Sequence, residues 1–170
     1  MNIENILKGK IAENLTEELL KKSCSSVLKL GSNSILDILE KEEKTFSRDS
    51  IIGRKISSIP DFVITSKNKK TFFIEVKFRS DPDSLEEGLI LEKDFLEKFW
   101  KTKIILVTLK EKPYFRVITP PYFSKEKKEG WPIPILNWLA IEDDPDLNIE
   151  KENIEDFEML AKKYYLGFKN

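Results

Sequence analysis

The sequence predicts an α/β fold in which a central mixed β-sheet is flanked by helices. Three observations carry that expectation. Residues 4–24 place apolar side chains at helical spacing; residues 61–66 and 71–78 are extended segments joined by a short polar turn; and Lys103–Leu109 (KIILVTL) is an almost continuous apolar run. Helix-period and strand-period segments that interleave in this way pack as helices on a sheet.

In chain order, Ile6, Leu7, Ile11, Leu15, Leu19 and Leu20 recur at steps of one, three and four, the stripe of an amphipathic helix over 4–24. Ser25–Leu30 is a short β-type run closed by Gly31, and Ile35, Leu36, Ile38 and Leu39 predict a short helix over 34–44. Polar residues follow to Ser50, and Pro60 stops the next segment. DFVITS (61–66) and TFFIEVKF (71–78) are separated by Lys67-Asn68-Lys69-Lys70, a turn of hairpin length. In the second strand Phe73, Glu75 and Lys77 share one face; Phe72, Ile74, Val76 and Phe78 share the other. Leu91, Phe95 and Phe99, four apart, predict a helix over 84–100. The 103–109 run reads as a strand buried on both faces. Tyr114–Thr119 is a further strand stopped by Pro120-Pro121; 120–148 is irregular, and 151–165 is a final helix. No repeat or linker divides the chain. One domain over 1–170 is expected, with a core of about 5–119 and a C-terminal extension over 120–170.

Composition narrows the chemistry. The 170 residues contain one cysteine, Cys24, so no internal disulfide can form. Histidine is absent, which removes Ser-His-Asp and Cys-His catalysis, His-ligated zinc and histidine general bases. Any catalysis must use carboxylates, lysines and a hard metal ion. No apolar run approaches the ~18–20 residues of a membrane span, and the polar start MNIENILKGK lacks a signal peptide's apolar stretch. A cytoplasmic protein without membrane contact is expected. The net charge is −1, but residues 142–158 hold nine acids and one lysine, so the rest of the chain carries +7.

One constellation stands above this background: Pro60-Asp61, then Glu75-Val76-Lys77 fourteen residues on. Asp61 opens one strand; Glu75 and Lys77 project from one face of the next, and a hairpin brings Asp61 beside Glu75. Two converging carboxylates suit Mg²⁺ or Mn²⁺, and a neighbouring lysine can orient or deprotonate water or neutralise charge on a phosphorane. All of these suit phosphodiester hydrolysis. The competing reading of the same residues is an Asp61–Lys77 ion pair or a solvated sheet face without function.

Pro-Asp on one strand and acid-x-Lys on the next resembles the signature of the PD-(D/E)XK nuclease superfamily. The resemblance covers roughly residues 5–110. It implies a restriction-endonuclease-like sandwich, a metal-dependent endonuclease activity, and Mg²⁺ or Mn²⁺ as cofactor. Many members carry a further glutamate on the first helix, and Gly9-Lys10-Ile11-Ala12-Glu13 is similar to that element, which makes Glu13 a metal ligand beside Asp61 and Glu75, with Glu17 the alternative. Catalytic roles then fall to Glu13, Asp61, Glu75 and Lys77. The compact size and glycine-led first helix look loosely like archaeal Holliday-junction resolvases. The resemblance also implies a nucleic-acid partner, DNA before RNA, and a homodimer. The rival from another class is a non-catalytic nucleic-acid-binding or assembly module with the same fold.

Backbone contacts are expected from Arg79, two residues beyond Lys77, and from Lys125, Lys127 and Lys128. These three lysines lie in a segment, 101–129, with eight cations, three acids and the interleaved aromatics Tyr114, Phe115, Tyr122 and Phe123. The acidity of 142–158 reads as solvated surface.

Overall fold

A computed structural model describes residues 3–42, 46–47, 49–81, 84–85, 89–90, 94–123 and 132–167. The chain runs α1 (Ile3–Ser23), β1 (Ser26–Lys29), α2 (Ser32–Glu42), α3 (Ile51–Ser57), β2 (Phe62–Thr65) and β3 (Thr71–Phe78). It continues through a π-helix (Asp94–Phe99), β4 (Lys103–Val107), β5 (Phe115–Ile118), β6 (Leu139–Ala140) and α4 (Lys151–Leu166). The six strands form one mixed sheet in chain order, β1 to β6. All neighbours are antiparallel except β3 and β4, which are parallel. Among the described residues no helix is long and apolar enough to cross a membrane.

The sheet is covered on both faces because β4 has no polar side. Ile105 and Val107 join α1 and α4 in one core, with Leu19, Leu20, Phe157 and Ala161; Ile104 and Leu106 join Leu96, Tyr122 and Trp138 in the other. The period-2 alternation of β3 holds as expected: Ile74 and Val76 are buried under α1, and Glu75 and Lys77 lie half-buried on the opposite side. The β2–β3 loop closes through Ser66 and Lys70, with Lys69 in the left-handed region at φ 60°.

Several elements differ from the sequence expectation. The buried stripe of α1 is Ala12, Leu15, Thr16, Leu19, Leu20 and Ser23, and Ile6 and Leu7 are exposed. Helix α3 was not anticipated. Ser50 caps it, its Oγ accepting the Gly53 N–H at 3.0 Å. Of the expected helix 84–100, the described residues include the π-helix, in which the Trp100 N–H reaches back to the Phe95 carbonyl at 2.8 Å. The wider turn puts Leu96 inside and leaves Phe99 71% exposed; Leu91 lies outside the described residues.

The acidic stretch is solvated only in part: Asp143, Glu150, Glu152, Glu155 and Asp156 are exposed as expected, whereas Asp144 and Glu158 are buried. Lys103, on β4, is 2% exposed, and its ammonium donates to both oxygens of buried Asp144 (3.1 and 2.8 Å) and to Thr119 Oγ1 (2.8 Å), with Asp146 at 3.1 Å. Asp144 also accepts the N–H groups of Asp146 and Leu147. Glu158, equally interior, accepts the Tyr114 N–H and pairs with Lys112 at 2.6 Å. Asp144 and Asp146 thus answer Lys103, because a buried ammonium is tolerable only with such partners.

Candidate functional site

The site begins where the β2–β3 ladder stops. Its register pairs Phe62 with Ile74, so one step further Asp61 faces Glu75 and Pro60 faces Val76. Proline has no N–H to give the ladder, and the strands part there. The carboxylate of Asp61 takes over, its Oδ2 accepting the Val76 N–H at 2.7 Å. The Pro-Asp pair therefore has a local structural purpose. It ends the ladder and turns one carboxylate across the opening.

Glu75 and Lys77 flank that opening from the same face of β3, and the Lys77 ammonium lies 2.8 Å from Glu75 Oε1. Both side chains are largely shielded, at 13% and 17% exposure. Glu13 approaches from α1 and pairs with Lys29 of β1 at 3.2 Å. Glu17, the alternative on the same helix, is turned to Lys21 at 2.7 Å.

Burial pushes the Asp61 carboxyl up to about 8, with the negative charges of Glu75 and then Glu13 adding to the shift; the Val76 N–H and the Lys77 ammonium oppose it. Both glutamates therefore act on Asp61, which places the three acids in one neighbourhood. At neutral pH Asp61 holds a proton, since ionising it would put a third negative charge in a poorly solvated opening. Lys77 pairs with Glu75, and its charge also acts on Asp61.

Comparison with protein-family models, with curated proteins and with solved structures finds no match. The chemistry rests on the geometry alone.

Three carboxylates form the hard oxygen donor set that Mg²⁺ and Mn²⁺ prefer, and a protonated acid between two glutamates is a place where a cation relieves repulsion. In kind and in neighbourhood the residues fit such an ion. They are not gathered at a single coordination point: among the described residues no three Asp, Glu or Cys side chains stand ready to hold a metal. Two of the acids are instead closed onto lysines, Glu13 onto Lys29 and Glu75 onto Lys77.

Beside the opening lies a cleft of about 640 Å³ lined by Asn5 and Gly9 of α1, Val76, Lys77, Arg79 and Ser84. It touches the site through Val76 and Lys77; Asp61 and Glu75 are not among its lining residues. Arg79 is half-buried here, donating from Nη1 to its neighbour's carbonyl, that of Phe78, at 2.8 Å. The cleft-lining Asn5 and Ser84 had no sequence signal, since they carry neither charge nor spacing. Lys125, Lys127 and Lys128 lie outside the described residues. Of the rest of that basic segment, Lys103 and Arg116 are buried, and Phe115, Tyr122 and Phe123 belong to the core, so these residues do not form a nucleic-acid surface. Lys110 and Lys112 pair with Asp81 and Glu158.

Proposed function

We propose that this chain is a metal-dependent nuclease of the PD-(D/E)XK type, hydrolysing phosphodiester bonds in nucleic acid, DNA before RNA. The observation that carries this reading is the convergence of Asp61, Glu75 and Lys77 where two strands part, with Glu13 near enough to act on Asp61, whose carboxyl is held protonated by burial first and by the two glutamates second. The order of elements supports it. A helix, a strand, an antiparallel hairpin and a further strand follow one another in the order the resemblance implies, with α2 and α3 added between the first strand and the hairpin.

On this reading Glu13, Asp61 and Glu75 hold Mg²⁺ or Mn²⁺. Such an ion, when bound, would supply positive charge at the scissile phosphate and would acidify water. Lys77, released from Glu75, orients the attacking water and balances charge that grows on the phosphate oxygens. Arg79, at the cleft wall, grips an adjacent phosphate. Hydrolysis adds water across one P–O bond, the oxygen bonding to phosphorus and the leaving ester oxygen taking up a proton. A homodimer, one protomer for each strand of a duplex, completes the proposal.

The pairing of Glu13 with Lys29 and of Glu75 with Lys77 favours a second reading, a non-catalytic nucleic-acid-binding or assembly module with the same fold. A cleavage panel of labelled duplex, branched and single-stranded DNA and RNA, with Mg²⁺, Mn²⁺ or EDTA, separates the two. Cleavage that requires the ion and disappears in Asp61→Asn and Glu75→Gln supports the nuclease. Binding without cleavage under every condition supports the module.

A further inference from the structure

A groove of about 330 Å³ lies between α3 and the π-helix, and its wall is almost wholly apolar: Ile56, Ile59, Phe95, Phe99 and Trp100. Its size is at the small end of sites that take flat small molecules. Phe99 is 71% exposed at its lip and stands edge-on to Trp100, ring centroids 4.9 Å apart at 90°. Trp100 is fixed in turn by Phe73 (5.2 Å, 68°) and by its indole N–H, 3.4 Å from Ser58 Oγ. An exposed aromatic ring held in place by packed neighbours is costly in water and serves as a stacking surface.

Two chain links join this groove to the opening described above. Phe73 is on β3 two residues before Glu75 and on the same face, a step of about 7 Å. Ile59, in the groove wall, is followed by Pro60 and Asp61. One cation, Lys55, lines the groove, and Arg54 beside it on α3 and Lys101 after Trp100 are its neighbours in sequence; all three are exposed, and α3 carries no acid. Of the π-helix acids, Asp94 pairs with Lys98 at 2.7 Å and one Glu97 oxygen accepts the Tyr122 N–H at 3.3 Å.

We propose that this groove takes an unpaired nucleobase of the nucleic-acid substrate, stacked on Phe99 and Trp100, with the flanking phosphates on Arg54, Lys55 and Lys101. The inference rests on the nuclease reading and narrows its substrate class to nucleic acid with unpaired bases beside the cut. Every base has a π-face, so stacking selects an unpaired base without selecting its sequence. Cations around an apolar floor complement a base and its phosphates. A second copy of the chain fits less well, because a two-fold contact through this patch sets Lys55 and its exposed cationic neighbours in sequence against themselves.

The test is binding in EDTA, where nothing is cut, to three fluorescent probes: a blunt duplex, the same duplex with a short single-stranded tail, and that tailed duplex with abasic sites in the tail. Phe99, being exposed, can be changed without emptying the core. Phe99→Ala should weaken the tailed probe about 5- to 150-fold, the range of one base–aromatic stack, and leave the other two unchanged; Phe99→Trp should restore it. Equal affinity of Phe99→Ala and wild type for the tailed probe overturns the proposal, as does equal weakening on all three probes. A dimer in sedimentation that Phe99→Ala dissociates, with no base-dependent effect, overturns it in favour of a second copy. Cleavage by the wild type in Mg²⁺ or Mn²⁺ is read separately. Its absence sinks the nuclease reading and not base binding, and an indifferent Phe99→Ala does the reverse.

Discussion

Asp61→Asn should make the protein more stable, and increasingly so as pH rises. The carboxyl binds its proton more tightly folded than unfolded, its pKa moving from 3.8 to about 8 through burial and then through Glu75 and Glu13. Folding therefore takes up a proton between those values. The stability this gives is fully present below the unfolded value and is lost as pH rises through the folded one. Each pH unit inside the window costs about 1.4 kcal/mol, so the wild type loses about 3 kcal/mol between pH 5 and pH 7 that the asparagine variant keeps. For a chain of this size that is about 6–12 °C in melting temperature. Asparagine retains an oxygen to accept the Val76 N–H, and every other titrating group is shared by both proteins and largely cancels in the difference. Urea unfolding of the pair at half-unit steps from pH 5 to pH 9 reads the effect, which should level off above about pH 8. A difference independent of pH would mean that Asp61 is already ionised in the folded protein, and the electrostatic account of the opening would fail. Mg²⁺ or Mn²⁺, if held there, should raise the wild-type melting temperature at pH 7 more than that of the variant.

Lys77→Met should lower single-turnover cleavage by about 10²–10³, the usual cost of one placed electrostatic group, with little change in affinity; weaker binding at an unchanged rate would make Lys77 a phosphate grip only. Asp144→Ala strands the buried Lys103 ammonium and should cost about 3–5 kcal/mol in chemical denaturation; a loss under about 1 kcal/mol would show that Thr119 and Asp146 satisfy Lys103 unaided. Gly9 is in the interior of α1, and a Cβ there would meet nothing within 4 Å. Gly9→Ala should therefore gain about 0.5–1 kcal/mol by thermal unfolding, and a loss would mean that the cleft wall is tighter than this.

Elements whose pattern is local were legible in the order of residues. The period-2 alternation of β3, the two-faced apolar run of β4 and the helical spacing of α4 each follow from side chains within a few residues of one another. Pro60-Asp61 and Glu75-x-Lys77 were legible for the same reason, since a missing N–H and an i, i+2 pair act at short range. Partnership across the chain was not legible there, because it depends on how distant segments pack. Glu13 and Glu17 are equivalent in sequence, but four residues are about 6 Å along a helix, and the seating of α1 on the sheet brings Glu13, and not Glu17, to Lys29 and Asp61. Lys103 belonged by pattern to a basic surface and proved to be a buried ammonium facing Asp144, 41 residues away. The five-residue reach of the π-helix likewise moved Phe99 out and Leu96 in. Local spacing fixes which face of an element a residue occupies; what that face meets depends on register and packing between segments far apart in the chain, and for a buried charge those distances decide whether it is paired, protonated or excluded.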